Sequence, residues 1–103
     1  MTEKRKVTVS DWNSSKYLKT EQDISAYLDA AMEYDDPELL NLALDNIARA
    51  RGMTEIARRA GVTREGLYAS FSKDGNPSFR TVSKVLNAFG VRLSVVPINP
   101  SNK

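Results

Sequence analysis

Four residues near the middle of this 103-residue chain have the chemistry to read base edges: Thr63, Arg64, Glu65 and Tyr68. The planar guanidinium of Arg64 can give two parallel hydrogen bonds to a guanine edge, while Glu65 can accept from cytosine or instead orient Arg64. Side chains suited to phosphate flank them, with Arg58 and Arg59 before and Lys73, Ser78, Arg80 and Lys84 after. Ser78 and Arg80 fall where a helix is predicted to start, and free amide hydrogens with a positive dipole end favour anions there. Taken singly, each arginine reads equally well as solvation of a short helix. As a set they point to a nucleic-acid duplex.

Such a set needs a scaffold that turns it outward. Thr54 is expected to open a short helix closed by Gly61, and Thr63 a second that ends near Phe71. Two short helices joined by a glycine turn make a helix-turn-helix. The spacing meets its steric demands: small Ala57 where the second helix crosses, Gly61 for a positive φ, and apolar Leu67 to bury the underside. Ile56 and Val62 seal the junction. Thr63, Arg64, Glu65, Tyr68 and Ala69 then face away from the core, the side that meets the major groove. A two-helix corner with no nucleic-acid role is the competing reading. Gly66 costs about 1 kcal/mol relative to alanine inside a helix, so it should admit close approach of DNA or of a core neighbour.

The remaining elements follow from periodicity and caps. Thr20 with Asp23 forms an approximate capping box for a helix whose stripe is Ile24, Tyr27, Leu28 and Ala31 and which stops near Tyr34. Asp36-Pro37 is a restart signal for a helix to Arg51 with Leu40, Ala43, Leu44, Ile47 and Ala48 inward and Gly52 as left-handed cap. On its outer face Asp45 and Arg49 stand in the favourable acid-first i, i+4 order, and Leu42 is an apolar oddity. After a turn at 72–77, Ser78 caps a fifth helix with Phe79, Val82, Val85, Leu86 and Phe89 inward and Gly90 at its end. Val91, Leu93 and Val95 alternate with polar residues as a strand would, up to Pro97, and Val7 and Val9 form a weaker counterpart. The organisation expected is an N-terminal arm over 1–19, a helix-turn-helix domain over 20–97 and a disordered tail over 98–103.

Composition narrows the function classes. The chain has neither cysteine nor histidine, which excludes disulfides, zinc-finger spacings and histidine-dependent hydrolytic triads. Carboxylate or lysine chemistry stays formally possible, but no nucleophile, base and orienting group converge. Asp35-Asp36 as a metal pair is better explained by helix capping, so neither an enzyme nor a cofactor is expected. No apolar run is long enough to span a membrane, and the basic start lacks a signal-peptide core, so a cytoplasmic location is expected. The net charge of +2 hides a segregation: between residues 21 and 48 stand eight acids and no base, whereas residues 49 to 84 hold eight bases against three acids. One end suits a polyanion and the other a cationic partner, although two solvated helix faces would show the same pattern.

The run NIARARGMTEIARRAGVTREGLY from Asn46 to Tyr68, the later Gly75-Asn76-Pro77-Ser78-Phe79, and Val85-Leu86 followed by Gly90-Val91-Arg92-Leu93 resemble the addiction-module antidote proteins. These are HigA-like antitoxins with a Cro/C1-type helix-turn-helix. The likeness spans roughly residues 8 to 97 and includes Tyr17-Leu18, Ala26-Tyr27-Leu28 and Asp36-Pro37. A basic residue would be expected where Ala69 stands, and leucine where Phe71 stands. The resemblance implies an antitoxin that neutralises a RelE/ParE-type toxin and represses its own operon as a homodimer on double-stranded DNA. The fold expected is all-α, a five-helix lambda-repressor-like domain with a short terminal β-strand. The acidic stretch is expected to cover a cationic toxin surface through Asp29, Glu33 and Glu38, with Leu42 as apolar anchor. A phage-type transcriptional regulator without a toxin partner is the alternative.

Overall fold

In the computed structural model, which describes residues 18–98, every regular element is a helix. In chain order these are α1 (Glu21–Met32), α2 (Pro37–Arg51), α3 (Met53–Ala60), α4 (Arg64–Ser70) and α5 (Phe79–Phe89). Most starts are fixed by the side-chain caps read from the sequence. Thr20 and Asp23 form a reciprocal capping box on α1. Asp36 accepts from the Glu38 amide at 3.0 Å beside Pro37 at the head of α2. Ser78 accepts from the Thr81 amide at 3.1 Å at the head of α5. Each such oxygen satisfies an amide that the helix itself cannot pair.

The apolar stripes converge on one core. Ile24, Leu28 and Ala31 of α1 meet Ala43, Leu44, Ile47 and Ala48 of α2, Met53, Ile56, Ala57 and Ala60 of α3, Leu67 of α4, and Val85, Leu86 and Phe89 of α5. Two asparagines are buried among them. The Asn46 amide donates to the Tyr27 hydroxyl at 3.0 Å, joining α2 to α1. The Asn41 amide donates to the carbonyls of Ser72 at 3.2 Å and Gly75 at 2.9 Å, tying α2 to the turn ahead of α5. Buried amides need such partners, since an unpaired polar group away from water is costly.

The first helix ends at Met32 with Glu33 as its C-cap, near Tyr34 as expected, and Asp35 takes a positive φ of 54° in the turn that follows. Four expectations need correction. Thr54 does not open α3, because Gly52, with φ 104° and ψ 101°, serves both as the end of α2 and as the uncapped start of α3. Gly52 has the expected positive φ without reaching the left-handed well. Phe79 does not face inward: it is 73% exposed, because the first turn of α5 overhangs the core and only Val82 onward packs against it. The expected terminal strand is absent among the described residues. Val91 and Leu93 lie against the core, but Val95 and Ile98 are more than 90% exposed and no second strand is present there to pair with them. Alternation alone cannot make a strand without a neighbour to bond. Val7 and Val9 lie outside the described residues.

Candidate nucleic-acid interface

The centre of the candidate site is the corner between α3 and α4. Gly61 adopts φ 74° and ψ 31°, the left-handed conformation that a Cβ disfavours. The Val62 amide reaches back to the Ala57 carbonyl at 3.0 Å and that of Gly61 to Arg58 at 3.2 Å, closing the end of α3. Thr63 opens α4 by accepting from the Gly66 amide at 2.9 Å. Ala57 and Leu67 are buried as the corner requires, and Ile56 and Val62 close it from within. A Cβ on Gly66 would lie 2.9 Å from the Thr63 hydroxyl oxygen. The space at residue 66 is therefore taken by the cap of its own helix, an option that neither sequence reading of this glycine anticipated.

The corner leaves Thr63, Arg64, Glu65 and Ala69 exposed. Tyr68 differs, since it is half-buried and packs against the edge of the core. Two guanidinium groups lie over its ring: Arg64 at 5.7 Å from the centroid and Arg49 at 4.7 Å. Arg49 comes from the last turn of α2, where its Nε donates to Asp45 at 2.7 Å and holds the guanidinium pKa above its ordinary value. The Asp45–Arg49 pair was legible from spacing; its junction with Tyr68 was not, because it joins residues 19 positions apart in sequence.

The residues expected to meet phosphate fall on three elements. Arg58 and Arg59 are exposed on the last turn of α3. Arg58 forms a two-point pair with Glu55 (Nε to Oε1 3.1 Å, Nη2 to Oε2 2.6 Å) that lowers the carboxyl pKa and raises that of the guanidinium. Ser78 and Arg80 stand exposed at the head of α5. The Ser78 oxygen is engaged as the helix cap. Lys73 is exposed in the intervening turn, and Lys84 is exposed farther along α5.

Of the acidic set, Glu38 and Leu42 are brought together. With Asp36, Leu39, Phe71 and Lys73 they line an open groove of about 310 Å³. Leu42, an oddity on the helical wheel, is half-buried in this groove. Asp29 is exposed on α1 and Glu33 just past its end, and neither takes part in it. Asp36 spends its carboxylate on capping α2, and no group of three or more metal-ligating side chains occurs among the described residues. No helix among those residues is long and apolar enough to cross a membrane.

Comparison with known proteins gives two likenesses. Residues 8–97 match the family described as "Probable addiction module antidote protein". A protein of Haemophilus influenzae, described only as uncharacterized, is 44% identical over 95 residues, which is 92% of this chain and 94% of the relative. No solved structure matches the chain.

Proposed function

The chain belongs to the family of probable addiction module antidote proteins, and from that premise we propose that it is the antitoxin of a type II toxin–antitoxin module, binding operator DNA upstream of its own genes. The observation that carries the DNA half is the α3–α4 corner: a left-handed glycine, a threonine cap and a buried Leu67 leave Arg64 and Glu65 exposed at the head of the second helix. That helix enters the major groove, where Thr63, Arg64, Glu65 and Tyr68 meet base edges, while Arg58, Arg59, Lys73, Ser78 and Arg80 meet phosphates. A symmetric homodimer places two such helices about 34 Å apart on one face of the duplex and doubles a modest cationic surface. Binding there represses the operon; the protein itself acts as a regulator in the cytoplasm and catalyses nothing.

The other half is capture of a RelE/ParE-type toxin. A toxin that grips RNA presents cations; Asp29 and Glu33 offer the opposite charge, and Glu38 beside Leu42 adds an acidic group and an apolar contact. The test is co-expression with the adjacent reading frame followed by co-purification, together with footprinting on the upstream DNA. Protection of a symmetric tract and a stoichiometric complex are expected. An unprotected promoter would overturn the DNA assignment, and a neighbour that neither poisons cells nor co-purifies would overturn the antitoxin assignment.

A further inference from the structure

Base reading by a single exposed arginine is strengthened when its long side chain is held near one rotamer before binding, because the ordering cost is then smaller, and α4 is poorly equipped to do this alone. It has seven residues with Gly66 inside, shorter than an isolated helix needs for stability. Arg64 and Tyr68 are one turn apart on it, so their contact is as steady as the helix that carries both. The structure supplies a second anchor from outside. Asp45 and Arg49 belong to α2, a fifteen-residue helix with a capped start. Asp45 is only 15% exposed, and its carboxylate accepts from the Nε of Arg49, whose side chain is 56% exposed and whose guanidinium lies 4.7 Å from the Tyr68 centroid. Tyr68 is thereby shared between a cation paired to α2 and the proposed reading cation, Arg64 at 5.7 Å.

We propose that Arg49 is a positioning residue for base recognition: held by Asp45, it pins the Tyr68 ring from outside α4, and the pinned ring fixes the conformation from which Arg64 reaches the duplex. This rests on the DNA-binding reading above and adds to it a residue on a helix that lies outside the two-helix motif. Planarity matters to the role, because a flat guanidinium stacks on an aromatic face while a lysine ammonium acts as a point charge.

The experiment uses the full chain and a duplex enriched by the wild-type protein from a randomised pool, with unselected duplex as reference. Arg49→Gln is expected to lose about fivefold in preference for the enriched duplex, confined to the base position that Arg64→Ala also relaxes. The double variant should be no worse than Arg64→Ala alone. Arg49→Lys, which keeps the charge, should recover little of the loss. In the free protein, ¹⁵N relaxation of the Arg64 Nε–H group should show greater mobility in Arg49→Gln, with the thermal midpoint unchanged within a few degrees. If Arg49→Gln instead weakens every duplex alike and Arg49→Lys restores binding, Arg49 is a phosphate contact and the proposal fails. Additive losses, or an Arg64 group equally mobile in both proteins, also overturn it. A wild-type protein that enriches no sequence removes the DNA-binding reading itself, an outcome the relaxation measurement tells apart from loss of the Arg49 role.

Discussion

Arg64 and Arg80 are both exposed cations, yet the proposed interface gives them different work, and that difference is measurable. Arg64→Ala should cost about 1 to 3 kcal/mol on operator DNA and relax one base position, whereas Arg80→Ala should weaken all sequences and flatten the salt dependence by about one. Titrations of operator and random duplexes at several salt concentrations check this; equal losses on both duplexes from Arg64→Ala would refute its reading role. Tyr27 offers a prediction independent of DNA. Burial pushes its phenol up to about 12 from 10.0, against the opposing hydrogen bond from Asn46. The folded state thus holds this proton more tightly than the unfolded chain, so its stabilising contribution is complete below pH 10 and disappears as the pH rises through about 12. Urea midpoints across that window should fall more steeply for the wild type than for Tyr27→Phe. Equal slopes would contradict it.

At the scale of elements, α3 and α4 are too short to persist without tertiary packing, and Leu67 is the one residue of α4 that is fully buried. Leu67→Ala should therefore cost about 2 to 5 kcal/mol, with amide exchange in α4 rising before that in α2. Uniform exchange would show that the corner has no separate weakness. The same dependence explains which elements could be read from sequence. Thr20, Asp36, Thr63, Ser78 and Gly61 act within three or four residues of themselves, so their caps and turns are local facts written in local order. Phe79 misled because the pattern of a helix does not reveal where the core beneath it stops. Val91 to Val95 misled because a strand is defined by a neighbour. Asn41, Asn46 and the Arg49–Tyr68 pair were invisible for a related reason, each being a contact between elements whose placement only the folded chain decides.

For the molecule as a whole, the division of charge between an acidic stretch over 21–48 and a basic stretch over 49–84 separates the two proposed partners along the chain. Reversing Asp29 and Glu33 to lysine should slow toxin capture severalfold at low salt, with much less change in dissociation. Stopped-flow association over a range of ionic strengths, with circular dichroism to establish that the helices persist, would check it; unchanged association rates would count against the acidic face. Yet the two stretches are physically joined. Through its two bonds to the Ser72 and Gly75 carbonyls, the amide of Asn41 in the acidic stretch lets α2 hold the loop that leads into α5. Replacement by aspartate would preserve size and shape while setting a carboxylate oxygen against two carbonyl oxygens, so attraction would become repulsion at a single point. The turn carrying Lys73, which leads on to Ser78, would lose its two bonds to α2, so one atom of that helix bears on where two of the proposed phosphate contacts stand.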